Sequence, residues 1–357
     1  MKPDGEGFLY PVANADKCIN CGLCDRVCPV ASAGDKAAGT MPACYAARSC
    51  DEGQRQESSS GGIFSLLAEQ VLKLGGRVYG AAFDHRMQVQ HIWVESKEKL
   101  GKLRGSKYVQ SRIGNIYRAV KQDLQTEKTV LFTGTACQIA GLKAFLGREY
   151  ANLYTVDVLC HGVPSAAVWE KYLTWQQHRY GDSPVCAANM RCKDSGWKRY
   201  SVKLDFENEK SYSRLHGDDV FMHAFLSDLC LRPSCHECRF KSLDRPSDLT
   251  LGDAWGIDKL LPDMDDTRGT SLVLVHSRRG EELLQSVADR MEYRQVDTDR
   301  ALPPTAYSRR SAPRNPDRER FFEAMNSPAW EKEFNRLEAK NKLSMMKRRI
   351  KTFLKGK

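Results

Sequence analysis

The stretch Cys18-Ile19-Asn20-Cys21-Gly22-Leu23-Cys24-Asp25-Arg26-Val27-Cys28-Pro29 constrains this chain more than any other. Its spacing, C-x2-C-x2-C-x3-C-P, is that of bacterial-type ferredoxins. Short loops let three thiolates approach one cluster, backbone amides helped by Gly22 point at its sulfides, and Pro29 turns the chain away after the last thiol. A structural zinc site uses two ligand pairs separated by a longer loop. A disulfide framework needs an exported chain, and Met1-Lys2-Pro3-Asp4-Gly5-Glu6 carries no apolar segment of a secretory signal. The run therefore predicts a [4Fe–4S] site. In two-cluster ferredoxins the fourth cysteine of such a run serves the other cluster. With a single run here, either Cys28 closes the site or Cys44 or Cys50 does so in its place.

A second group of thiols is spread more widely. Cys235-His236-Glu237-Cys238 is a C-x-x-C knuckle, which suits metal or redox chemistry. Cys137 follows the apolar run Val130-Leu131-Phe132, and Cys160 follows Val156-Asp157-Val158-Leu159. Two strands of a parallel sheet would deliver these two thiols to one edge, where α/β proteins place ligands. Together with the knuckle they make four ligands, enough for a second cluster, with Cys230 as an alternative to any one of them. Cys186 and Cys192 read as small core residues.

At 357 residues the chain has room for more than one domain. Residues 1–40 read as a small ferredoxin-like module with little core of its own, and Ala31 to Ala47 as a Gly/Ala-rich connector. Residues 41–305 read as the main α/β domain, because strand-like and helix-like runs alternate from 113 to 175. Residues 185–220 look more β-like, and Ser271-Leu272-Val273-Leu274-Val275 is a further buried strand. Asp253, between glycines, is either an acid at the site or a turn residue.

Two segments of this domain suit an anionic, planar ligand. In Ser58-Ser59-Ser60-Gly61-Gly62 the loop opens an amphipathic helix whose apolar positions are 63, 66, 67 and 71. Its first amides either meet a phosphate or are closed by a serine cap. Arg104, Ser106, Lys107 and Tyr108 surround Gly105, with the cations suited to phosphate and the tyrosine to a ring. A surface loop with solvated charges is the alternative.

Residues 306–357 read as a helical, basic tail. Lys340 to Lys357 hold eight of the ten net positive charges, so the rest of the chain is nearly neutral and offers no nucleic-acid surface. Leu343, Met346, Ile350, Phe353 and Leu354 fall on one helical face of it, which suits peripheral contact with anionic lipid. No apolar run approaches the roughly 18–20 residues that span a bilayer, so a cytoplasmic or membrane-peripheral location is expected.

Taken together, these motifs resemble the coenzyme F420 hydrogenase/dehydrogenase beta-subunit family, from about Gly7 to Ser277. The resemblance rests on the ferredoxin run, Ser58 to Phe64, Arg104 to Tyr108, Gly134-Thr135-Ala136-Cys137-Gln138, Cys160-His161-Gly162, Arg232-Pro233-Ser234-Cys235 with Cys238, and Gly252-Asp253-Ala254-Trp255-Gly256. Where members read Thr-Pro-Cys this chain has Thr135-Ala136-Cys137, which keeps the thiol; where relatives often carry two cysteine runs it has one. The resemblance implies an FAD beside a [4Fe–4S] cluster held by Cys137, Cys160, Cys235 and Cys238. It places Ser59, Ser60, Gly61, Gly62, Arg104, Ser106, Lys107, Tyr108, Thr133, Gly134 and Thr135 along the flavin. It further implies electron transfer between a ferredoxin-like carrier and a small-molecule hydride donor or acceptor, coenzyme F420 being the namesake and polysaccharide biosynthesis a setting of bacterial relatives. A subunit that only carries electrons for a larger complex is the competing expectation. The motifs assign no catalytic residue and no oligomeric state.

Overall fold

The computed structural model describes residues 1–31 and 41–341. Its centre is a mixed sheet of eight strands: β1 (Ala43–Ser49), β2 (Arg77–Phe83), β3 (Val89–Val94), β4 (Val130–Gly134), β5 (Leu153–Val158), β9 (Leu249–Asp253), β10 (Ser271–Val275) and β11 (Met291–Val296). A separate three-stranded antiparallel sheet comprises β6 (Val185–Cys192), β7 (Ser201–Phe206) and β8 (Ser211–Leu215). The large sheet runs β11-β1-β10-β9-β5-β4-β2-β3. Its middle four strands, β9, β5, β4 and β2, are parallel, and antiparallel strands close both sides.

This topology follows from how each run buries its side chains. Val130, Leu131 and Phe132 are all buried, as expected of a strand covered on both faces. Leu131 packs with α1 (Ile63–Lys73), and Val130 and Phe132 pack with α2 (Ile116–Gln125) and α3 (Ala136–Leu146) on the opposite face, the period-two alternation of a strand. In α1 the expected positions Ile63, Leu66, Leu67 and Val71 are all buried.

The end of the segment read as a connector, from Ala43 to Ala47, belongs to strand β1, which is inserted between β10 and β11. Small side chains (Cys44, Ala46, Ala47) fill its buried positions, so it lacks the β-branched signature that marks strands in a sequence. Cys44 is fully buried beside Leu159, Trp197 and Leu243 in the core. The terminal segments also join the body. Phe8 is buried against Phe322, and Arg318 forms an ion pair with Glu6. Helix Arg318–Asn326 and the helical stretch 331–341 place Phe321, Met325, Phe334 and Leu337 in an aromatic core around Trp169. The region expected to start a tail at 306 is therefore packed as far as 341, and the expected lipid-facing positions from 343 onward lie outside the described residues. No helix among the described residues is long and apolar enough to cross a membrane.

Candidate redox site

The carboxyl ends of the parallel strands define the site. β4 ends at Gly134, β5 at Val158 and β9 at Asp253, and all three line a cavity of about 590 Å³. This lies within the roughly 300–1,000 Å³ usual for ligand sites and at the edge where such folds bind them.

One end of the cavity is built for an anion. Gly62 caps α1 in the left-handed conformation (φ 88°) and no side chain closes the first turn, so the serine cap is not made. The serines are used within the loop instead. Ser59 Oγ accepts from the Ser106 amide at 2.8 Å, and Ser60 Oγ donates to the Thr270 carbonyl at 2.9 Å. Gly61 is the one expected residue behind the wall: a Cβ there would stand 2.4 Å from the Ala47 carbonyl oxygen, so only glycine lets the loop lie against β1. Ser59, Ser60, Gly62, Arg104, Ser106, Lys107, Tyr108, Thr133, Gly134 and Thr135 all line the cavity.

The two cations of the wall differ in their partners. Arg104 is paired with Glu57 and donates to Ser65 Oγ at 3.0 Å. Lys107 Nζ donates only to backbone, to the Arg104 carbonyl at 2.7 Å and the Gly105 carbonyl at 3.1 Å. Burial without a carboxylate partner brings its pKa down to about 7.

Several lining residues carry no motif and were missed in the sequence. Arg191, from the second sheet, binds both oxygens of Asp253 at 3.0 Å and donates to the Ser59 carbonyl at 3.1 Å. Its guanidinium lies 4.1 Å from the Tyr200 ring centre and 5.3 Å from that of Trp255. Burial works against its charge, but Tyr108 and Asp253 outweigh burial and hold the pKa up. Asp253 also accepts from Trp197 Nε1 at 2.9 Å, so it is a fixed counter-ion of the site. The alternation of hydrophobicity in β6 signals a strand and says nothing of where that strand docks.

His91 was likewise unsignalled. Nδ1 meets Ser111 Oγ at 2.7 Å and Nε2 meets the Thr133 carbonyl at 3.0 Å, so Nε2 carries the proton and Nδ1 accepts. Burial lowers its pKa from 6.5 to about 4. Because the folded value is depressed, the unfolded chain takes up the proton first as pH falls. Stability is expected to drop by about 3 kcal/mol between pH 6.5 and pH 4 through this group. Urea titrations of the wild type and His91→Gln across that range measure it; equal slopes would refute the assignment.

At the other end stand the thiols. Cys160 lines the cavity, and Cys137 starts α3 with its Sγ 3.1 Å from Thr135 Oγ1. Burial, together with mutual repulsion among Cys137, Cys160, Cys235 and Cys238, raises the Cys160 thiol to about 12 and that of Cys235 to about 11. The structure thus brings the four expected thiols within electrostatic range of one another. Among the described residues, no group of three or more His, Cys, Asp or Glu side chains closes up to hold a metal ion as it stands. Lys241 braces the cysteine loop, donating to the backbone carbonyls of Cys160, His161 (3.1 Å) and Tyr307 (2.8 Å).

The remaining cysteines divide. Cys18, Cys21 and Cys24 are exposed, on a loop with Asn20 and Gly22 at positive φ, and Cys28 is partly buried. Cys230 is buried in the aromatic core. Cys192 is buried as expected, whereas Cys186 is exposed, because that end of β6 lies at the sheet's open face. Arg239, next to Cys238, donates to the Val30 carbonyl at 2.8 Å, so the two cysteine groups adjoin.

Comparison with known proteins bears on the family and the fold. Residues 127–299 match a family described as the carboxy-terminal part of the coenzyme F420 hydrogenase/dehydrogenase beta subunit, and residues 11–32 match the 4Fe-4S binding domain. A chain of the F420-reducing [NiFe] hydrogenase complex from Methanosarcina barkeri shares the α/β fold at a TM-score of 0.50 and 18% identity, over 88% of this chain and 95% of that one. No curated protein matches.

Proposed function

We propose, for a chain whose residues 127–299 match the coenzyme F420 hydrogenase/dehydrogenase beta-subunit family, that its iron–sulfur redox function is that of a flavin-dependent oxidoreductase. The observation that carries this reading is one cavity with an anion-binding end at Gly62 and Arg104 and a cysteine end at Cys160. FAD, when bound, would exchange electrons singly with iron–sulfur centres and in pairs with an organic partner.

The residues present fit both groups. Four thiols that raise one another's pKa are poorly suited to ionise together unless metal cations lie among them, and a four-iron cluster bridges a wider gap than a single ion. Cys137, Cys160, Cys235 and Cys238 would hold that cluster. Cys18, Cys21, Cys24 and Cys28 would hold the other, since Cys44 belongs to the core. The open first turn of α1 and the Arg104 side would bind phosphate oxygens. Tyr108, stacked on Phe225 at 4.9 Å, offers an aromatic wall for a ring. The Arg239–Val30 contact holds the two cysteine groups side by side, which supports a relay from an exposed entry point to a buried one. A ferredoxin-like carrier at the exposed run and a hydride donor or acceptor at the cavity complete the proposal, in the cytoplasm. The hydride partner is of the coenzyme F420 type or another organic substrate, including one of polysaccharide biosynthesis.

Iron, sulfide and flavin quantitation on one anaerobic preparation tests it. About eight irons and one FAD per chain are expected. Clusters with no flavin after reconstitution would refute the oxidoreductase and leave an electron-carrying subunit, a role in keeping with the complex to which the solved relative belongs.

A further inference from the structure

Iron–sulfur clusters deliver electrons without protons, whereas an organic two-electron acceptor gains hydrogen. A protein that joins the two therefore needs a proton source facing its acceptor; His161 and His216, which also line the cavity, bond Asp228 and the Tyr200 carbonyl. His91 has both ring nitrogens engaged, and Asp253 is held by Arg191 and Trp197. Arg104 and Arg191 do not give up protons near neutrality. Lys198, at the rim, is paired with Asp258 and Asp265.

We propose that Lys107 is the proton donor for cluster-driven reduction of the acceptor bound in this cavity, a step that rests on the flavin reading above. Lys107 lines the cavity, its Nζ is fixed by two carbonyl oxygens of its own loop, and the Phe83 ring centre lies 5.8 Å away. Among the described residues no carboxylate pairs with it. The charged or titratable neighbours are His91 on β3, which feels its charge and is itself neutral, and Arg104 and Tyr108 on the same loop. Lys107 lines the same cavity as Thr133, Gly134 and Thr135, the residues that lead into Cys137.

The step balances. Two electrons arrive singly from a reduced one-electron carrier through the clusters. The Nζ–H bond breaks and leaves its pair on a neutral amine, while the two electrons form the new bond to hydrogen on the acceptor. The amine then takes a proton from water. The lysine's lowered pKa, near the operating pH, suits repeated exchange of this kind.

A hydride donor brings its hydrogen with the electron pair and needs no such proton, which gives the test. Anaerobic stopped-flow on the flavin- and cluster-loaded protein would follow flavin bleaching by reduced methyl viologen and, separately, by sodium borohydride. Lys107→Met is expected to slow the viologen route at least tenfold more than it slows the borohydride route. Lys107→Arg, which keeps the charge and cannot donate, should be as slow as Lys107→Met. In the wild type only the viologen route should slow in D2O. Recovery of rate in Lys107→Arg would assign the effect to charge and overturn the proposal. So would equal slowing of both routes, or loss of flavin from both variants, which would make Lys107 a binding residue. A wild type that holds iron but no FAD would instead fail at the flavin reading itself.

Discussion

Cys160→Ser is expected to remove about four irons per chain and Cys21→Ser a different four, each leaving the other cluster's absorbance and EPR signal in place. The reasoning starts from position. Cys160 follows β5 into the cavity and shares its electrostatic environment with Cys137, Cys235 and Cys238, whereas Cys21 sits on the exposed N-terminal loop. The two groups adjoin through Arg239 and Val30 without sharing a thiol core, so loss of one should not strip the other. The functional consequences differ as well. Cys21→Ser should abolish reduction by a protein carrier yet leave reduction by small viologens that enter the cavity lined by Cys160. Cys160→Ser should abolish both. If Cys160→Ser retained all its iron, the second cluster would be excluded; if Cys44→Ala lost iron while Cys28→Ser did not, the N-terminal ligand set would need revision.

How much of this was legible in the sequence varies with how local the signal was. The ferredoxin run, α1 and the strands preceding Cys137 and Cys160 are written in short spacings, and each stands where expected. That Cys137 and Cys160 follow strand ends was also legible, because the apolar runs before them mark the strands that deliver them to one edge of the sheet. What failed was tertiary. Strand β1 was hidden because Cys44, Ala46 and Ala47 fill its buried positions where β-branched residues would have marked it. Arg191 and His91 were hidden because each is placed at the cavity by an element whose own sequence encodes only its local conformation. The C-terminal region was misread for a related reason. Residues 306–357 read as a basic tail, yet Arg318 is 3% exposed and is neutralised by Glu6 from the far end of the chain.

Arg191→Met is expected to cost about 3–5 kcal/mol of folding stability and to lower flavin affinity by more than tenfold. The guanidinium side chain is 2% exposed, and its bidentate pair with Asp253 joins the second sheet to the end of β9. Removing the cation leaves a carboxylate in a protein environment with only Trp197 Nε1 still donating to it, and breaking a buried pair is costly for that reason. The Ser59 carbonyl loses its donor in the same substitution, so the loop carrying the open α1 amides loosens, which links the stability change to flavin binding. Against a total of roughly 5–15 kcal/mol for a folded protein, a loss of this size should move the urea midpoint far more than any surface change. The double variant Arg191→Met/Asp253→Asn separates charge from packing. It removes the uncompensated carboxylate and keeps an acceptor for Trp197, so it should regain most of the stability. It should not regain flavin affinity, because the Ser59 contact stays broken. A double variant as unstable as the single one would show that stacking of Arg191 between Tyr200 and Trp255, and not its ion pair, holds the second sheet to the site.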